Sequence, residues 1–249
     1  MSTLQFAVRA VGATQSATDV AALDVEIDQL VIAGWAGRDA AAIQAHIAEL
    51  AAIGVAPPSS TPCFYRVADT LLTQSPVVQL LGGTSSGEIE CVLIDSPEGT
   101  LVAIGSDHTD REVEAYGVAV SKQVCAKPVS REAWRYADVA PHWDQLHMQS
   151  WVVKADGQRI DYQSGTVAGL LPPPSLWSLY AQTGSRDASA PSADAALPAR
   201  SAMYSGTLAV HGAMAAMTDG DTFILELTDP VLDRQLTHRY TVAMLPIVS

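Results

Sequence analysis

Short apolar runs, each closed by turn-forming residues, fill most of the chain from residue 75 to residue 245, and this punctuation selects strands. The clearest runs cover residues 77–81, 88–94 and 101–104, separated by Gly82-Gly83 and by Glu98-Gly99. Further strands are expected at 150–154, 158–162, 206–209, 222–227 and 238–245, with turns at Ala155-Asp156-Gly157 and at Thr218-Asp219-Gly220-Asp221. Upstream, residues 4–11 and 23–33 read as two early strands joined by a polar turn. One segment breaks the pattern. Residues 39–53 are Ala-rich, place Ile43, Ile47 and Leu50 at helical spacing, begin at an Asp able to cap and end at Gly54, which predicts a helix. A second helix is expected from Thr109 or Asp110 to about Cys125, and residues 183–200, rich in Ser, Ala, Pro and Asp, read as a low-complexity loop. No repeat and no linker divides the chain. The expectation is an α+β, β-rich fold with few helices: a small N-terminal β appendage over residues 1–30 and one main domain over residues 31–249.

Composition narrows the partners. With 249 residues, 48% of them apolar, the chain can bury a large core. Its formal charge of −13 at pH 7 repels phosphate backbones and anionic lipid, so neither nucleic acid nor a membrane is expected as a partner. Cys63, Cys91 and Cys125 are odd in number and contain no C-x-x-C, which suits free thiols in a reducing cytosol and argues against a thiolate metal site. The first residues lack the basic start and apolar stretch of a signal peptide, and no long apolar run could span a bilayer. A cytoplasmic protein is expected.

Against this apolar background an ordered series of polar residues stands out. In Glu88-Ile89-Glu90 a strand's period of two turns both carboxylates to one face, where they repel unless a cation lies between them. A solvated strand face is the plain alternative, but the apolar run Cys91-Val92-Leu93-Ile94 puts the pair at the mouth of a core strand. His46 and Glu49 lie three apart on the first helix and share a face, so the carboxylate can orient the imidazole as a base; an ordinary amphipathic helix would show the same spacing. Asp107 and Arg111 come next, at the start of the second helix, where Thr109 or Asp110 can serve as N-cap and Arg111 can pair with Glu114 on the surface.

The order and spacing of these pieces resemble the fumarylacetoacetase superfamily, whose members cleave, decarboxylate, hydrate or tautomerise small 2-oxo acids around a divalent metal. Ser106-Asp107-His108-Thr109-Asp110-Arg111-Glu112 resembles that superfamily's Asn-Asp-x-Ser/Thr-Ala-Arg-Asp signature, departing at Ser106, Asp110 and Glu112. His46 and Glu49 match its H-x-x-E, and the segment running from Pro57-Pro58 to Phe64-Tyr65-Arg66 resembles the superfamily's stretch of Pro, Phe and a basic residue after that helix. Gly206-Thr207-Leu208-Ala209-Val210-His211-Gly212 resembles a pocket-lining loop in which His211 replaces a Thr. The resemblance spans roughly residues 30–245.

It implies a mixed β-roll assembled as a homodimer, with Mg²⁺ or Mn²⁺ held by Glu88, Glu90 and Asp107. It further implies that His46, oriented by Glu49, activates water, while Arg111 and Lys127 bind the substrate; Lys122 is a neighbouring alternative to Lys127. Tyr65, Arg66, His108 and His211 are candidate substrate contacts, and Asp110 and His211 are where substrate preference is expected to be written. The activity implied is hydrolysis of a C–C bond in a 2,4-dioxo or acylpyruvate-like acid. A decarboxylase, tautomerase or hydratase sharing the site, and a non-catalytic relative that binds a small acid, remain the alternatives.

Overall fold

The computed structural model describes residues 1–9, 20–52, 57–183, 196–246 and 248. In chain order the N-terminal half contains β1 (Ser2–Arg9), β2 (Val20–Ile27), β3 (Gln29–Gly34), α1 (Ala40–Ala52), β4 (Cys63–Val67), β5 (Leu72–Thr73), β6 (Val77–Leu81), β7 (Ser85–Ser86), β8 (Ile89–Ile94) and β9 (Leu101–Ser106). A central segment comes next with β10 (Thr109–Asp110), α2 (Arg111–Tyr116), α3 (Val118–Gln123), β11 (Lys127–Pro128), β12 (Glu132–Arg135) and α4 (Tyr136–Val139). The C-terminal half supplies β13 (His147–Val153), β14 (Arg159–Thr166), α5 (Pro173–Gln182), β15 (Ser201–Thr207), β16 (Thr222–Asp229) and β17 (Arg234–Leu245).

Two sheets carry the structure. An eight-stranded mixed sheet runs β2-β1-β12-β9-β8-β15-β3-β4, and a five-stranded sheet runs β14-β13-β16-β17-β6. Their facing sides form one core: Ile89, Cys91 and Leu93 of β8 meet Met148, Val152, Phe223 and Leu225 from the second sheet. The alternate residues of β8, Val92 and Ile94, point the other way into a second cluster with Phe6, Ile27, Leu30, Ala103 and Tyr204. That cluster draws its members from strands of the eight-stranded sheet and its connections, so the sheet curls and packs against itself. Such double burial explains why all six positions of β8 and of β9 are buried and why both read as continuous apolar runs rather than alternating ones. The fold is the α+β, strand-rich one expected.

Several boundaries differ from expectation for visible reasons. Residues 23–33 divide into β2 and β3 because the backbone N–H groups of Asp28 and Gln29 both turn to the carbonyl of Arg200. Residues 109–125 form two short helices because the chain is extended at Gly117, whose φ is 179°. Of the segment expected as a strand at 206–209 only Gly206 and Thr207 are in a strand, at the end of β15, and α5 forms where the sequence reading places no helix. Within residues 1–30, set apart by the sequence as an appendage, β1 and β2 pair antiparallel, and β1 joins the rest of the large sheet by parallel pairing of Ala7 with Glu132. The turn expected near residues 12–19, Gly54 and most of the low-complexity loop lie outside the described residues. No described helix is long and apolar enough to cross a membrane. The three cysteines are free thiols, with Cys91 and Cys125 buried.

Candidate metal centre

Antiparallel pairing of β8 with β9 sets Ile89 opposite Ser106 and Glu90 opposite Gly105, bringing the start of one strand against the end of the other. Glu88 lies immediately before β8 and Asp107 immediately after β9. The Asp107 N–H donates to the Glu88 carbonyl at 3.0 Å, and the Glu88 N–H donates to Ser106 Oγ at 3.1 Å. As a result, one carboxylate oxygen from each of Glu88, Glu90 and Asp107 lies within 4.8 Å of the other two. Glu90 and Asp107 are buried, whereas the Glu88 side chain keeps 17% exposure, so the cluster opens to solvent on the Glu88 side.

Glu90 is held by a glycine. The register of β15 against β8 shifts between Tyr204 and Thr207, and within that bulge the Gly206 N–H donates to Glu90 Oε2 at 2.7 Å. Gly206 has φ +99°, and a Cβ there would lie 3.0 Å from Ala36 Cβ. Gly206→Ala is therefore expected to cost about 1–3 kcal/mol through the disfavoured backbone conformation and the close approach. A lowered urea midpoint with unchanged slope is the expected result; an unchanged midpoint would mean the backbone relaxes freely.

Three cations surround the acids. Lys122 on α3 bonds Asp107 Oδ2 and lies 3.7 Å from Glu88 Oε2. Lys127, fully buried on β11, donates to the His108 carbonyl at 2.6 Å and lies 3.1 Å from Asp107 Oδ1. Arg111, the first residue of α2, donates from Nε to Ser86 Oγ at 2.8 Å, from one terminal nitrogen to Glu114 at 3.0 Å and from the other to Glu88 at 2.8 Å.

These charges split the carboxylates. Burial alone would raise the Asp107 carboxyl, but Lys122 and Lys127 pull it down to about 2. Glu90 goes the other way: burial, then the charges of Asp107 and Glu88, hold its carboxyl well above the ordinary carboxylate range. For Lys122, Asp107 and Glu88 outweigh burial and raise the ammonium above its ordinary value, whereas burial keeps that of Lys127 below its own. At neutral pH, then, Asp107 is anionic, while the surroundings of Glu90 oppose its ionisation.

The residues present fit a divalent ion. All three donors are hard oxygens, the kind Mg²⁺ and Mn²⁺ prefer. Asp107 Oδ1, although buried and ion-paired to Lys127, accepts no hydrogen bond. A buried carboxylate oxygen left in that state has coordination capacity to spare.

The other residues singled out in the sequence divide. His46 and Glu49 fall on α1, whose start is capped by Asp39 accepting from the N–H groups of Ala41 and Ala42 at 2.9 and 3.0 Å. Their side chains lie outside the described residues. Tyr65 reaches the site, with its ring 5.9 Å from Lys122 Nζ and its hydroxyl pushed up to about 12, first by burial. Arg66, the next residue on β4, points oppositely and donates to Gln29 and to the Tyr180 hydroxyl, both at 3.2 Å.

His108 is fully buried; its ring nitrogens are spent on the Tyr240 hydroxyl at 2.7 Å and Ser85 Oγ at 2.9 Å, leaving none for a substrate. Burial, then Lys127 and Arg111, lower its imidazole to about 3, so it is neutral. His211 is exposed, with its backbone N–H donating to the Tyr162 carbonyl at 2.7 Å. Asp110, one of the two N-cap candidates in the sequence, caps α2 by accepting from Glu112 and Val113, each at 3.0 Å, and also accepts from Thr84 at 3.2 Å. Sequence reasoning missed Gly206 as the anchor of Glu90 and ranked Lys122 second to Lys127. The break at Gly117, which ends α2 and starts α3 on a new course, is the signal that could have shown Lys122 turning inward.

Comparison with solved structures gives the fold a parallel. The chain is similar to a hexagonal crystal form of 2-keto-3-deoxyarabinonate dehydratase at 14% identity and a TM-score of 0.60, covering 93% of this chain and 79% of that one. It is also similar to 2-keto-3-deoxy-D-arabinonate dehydratase complexed with magnesium and 2,5-dioxopentanoate, at 14% identity and a TM-score of 0.59, covering 95% of this chain and 83% of that one. The apo form of that enzyme gives 13% identity, a TM-score of 0.59 and coverage of 96% and 83%. No curated protein sequence matches. Residues 33–240 match the family described as "Protein of unknown function (DUF2848)", and the chain belongs to that family.

Proposed function

We propose that this protein is a metal-dependent enzyme acting on a small 2-oxo acid. The observation that carries the reading is the convergence of Glu88, Glu90 and Asp107 with Lys122, Lys127 and Arg111 at one end of β8 and β9. In this reading the three carboxylates hold Mg²⁺ or Mn²⁺, which when bound supplies a Lewis acid for the 2-oxo acid. Arg111 spends three of its five N–H donors on Ser86, Glu114 and Glu88, leaving two for a substrate carboxylate. Lys127 fixes Asp107, and in this reading its positive charge would favour an enolate formed beside it. Together the cations give an acidic protein a local site for an anionic substrate.

Two reactions that pass through such an enolate are proposed. Hydrolysis of a C–C bond in a 2,4-dioxo acid uses His46, oriented by Glu49 one helical turn away, to activate water. Elimination from a 3-deoxy-2-oxo sugar acid is favoured by the named activity of the structural neighbours. Chelated protein, given Mg²⁺ or Mn²⁺ and a panel of acylpyruvates, oxaloacetate and 3-deoxy-2-oxo acids in ¹⁸O-labelled water, separates them. A new labelled carboxylate marks hydrolysis, and a dehydrated product without one marks elimination. Turnover of the whole panel that ignores metal would overturn the reading. For the hydrolase, His46→Ala is expected to lower turnover by roughly 10²–10⁴-fold and leave Mn²⁺ affinity unchanged; an equal loss in both would make His46 a ligand.

A further inference from the structure

We propose that Lys122 is a built-in competitor for the metal: in the metal-free chain its ammonium takes the oxygens of Asp107 and Glu88 that a divalent ion needs, and it must be displaced for the ion to bind. The inference rests on the reading that Glu88, Glu90 and Asp107 hold the ion. The two lysines beside Asp107 divide its carboxylate. Lys127 faces Oδ1 and is tied in place by the His108 carbonyl. Lys122 bonds Oδ2 and also lies 3.7 Å from Glu88 Oε2, so it bridges two of the three acids. An ammonium between two carboxylates occupies the place where a shared cation would sit.

Lys122 is built to hold that place and to leave it. Its side chain is 7% exposed, so in the metal-free chain the pairing with Asp107 is what offsets the burial of its charge. It stands at the end of a flexible four-carbon stem, on the short helix α3, with the Tyr65 ring 5.9 Å from its Nζ. The face of that ring offers a displaced ammonium an attractive alternative partner. Lys127, fully buried and bonded to a backbone carbonyl, has no comparable exit. The arrangement offsets the repulsion between Asp107 and Glu88.

The test is a Mn²⁺ titration of chelated protein, read by the electron paramagnetic resonance of free Mn²⁺, on the native chain, Lys122→Met and Lys122→Gln. Both variants are expected to bind Mn²⁺ at least about tenfold more tightly than the native chain. Melting in chelator and in Mn²⁺ supplies the second readout: both variants are expected to melt lower than the native chain in chelator and to gain more from Mn²⁺. A variant that folds only with Mn²⁺ present meets the same expectation. Affinity equal to or weaker than native in both variants would overturn the role of Lys122 while leaving the metal centre standing. No Mn²⁺ binding by the native chain or by either variant would instead overturn the metal centre itself.

Discussion

Exchanging Asp107 for Asn is expected to remove metal binding and, at the same time, about 3–5 kcal/mol of stability. Asp107 is wholly buried and is the common partner of Lys122 and Lys127, both of them buried as well. Neutralising it takes the nearest anion from two buried ammonium groups, leaving Lys122 with Glu88 at 3.7 Å and Lys127 with the His108 carbonyl, and a buried charge that loses its counter-ion costs far more than the pair contributed. The pH dependence has a defined sign. Because the Asp107 carboxyl is lowered from 3.8 to about 2, its contribution is fully present above the unfolded value and is lost as pH falls from there through about 2. Urea unfolding of the native chain and of Asp107→Asn checks this directly. The gap between them should be widest near neutrality and shrink in acid; a variant as stable as the native chain would show that the lysines find other partners.

Glu90→Gln is expected to abolish metal binding by a different route, with the fold intact. The amide keeps an oxygen that can accept from Gly206, so packing is preserved while one of three anionic ligands is lost. Loss of such a ligand is expected to weaken Mn²⁺ binding by more than about a hundredfold and to remove turnover with it. Metal-free stability should move the opposite way. Burial and the neighbouring acids raise the folded carboxyl of Glu90. Its contribution is therefore present below the unfolded value and is lost as pH rises through the folded one. In chelator the native chain should melt progressively lower as pH rises above the unfolded carboxyl value. Glu90→Gln should lack that component, and Mn²⁺ should abolish it in the native chain. A native melting curve indifferent to pH in chelator would mean that Glu90 is not strained by its neighbours.

The parts of this site that the sequence displays are those governed by local geometry. Glu88 and Glu90 sit at strand spacing, Asp107 comes after the next apolar run, and a tight antiparallel pairing of the two strands brings them together. Helix α1 is equally visible, because Asp39 caps it and alanine favours it. The hidden parts depend on chain path. Gly117 inside an apparently helical stretch decides that Lys122 turns toward Asp107, and the sequence alone leaves Lys122 and Lys127 as rivals when both arrive.

Helix α5 is concealed by Pro172, Pro173 and Pro174, which look like a breaker, although proline at the first helical position is favourable. Gly206 is visible as a residue, but its task of aiming an N–H at Glu90 exists only once a bulge in β15 has formed against β8. His108 is ambiguous for a related reason. Its partners Ser85 and Tyr240 are distant in sequence, and together they make it part of the scaffold beside the site rather than a contact within it.

The measurement that tests the central claim most directly is the stoichiometry of Mn²⁺ bound to the chelated native chain and to Glu90→Gln, under conditions where both are shown to be folded. The account predicts one site per native chain and none in the variant, with turnover of a 2-oxo acid appearing in proportion to occupancy. A native chain that binds no ion, or a variant that binds it as tightly as the native chain, would contradict it.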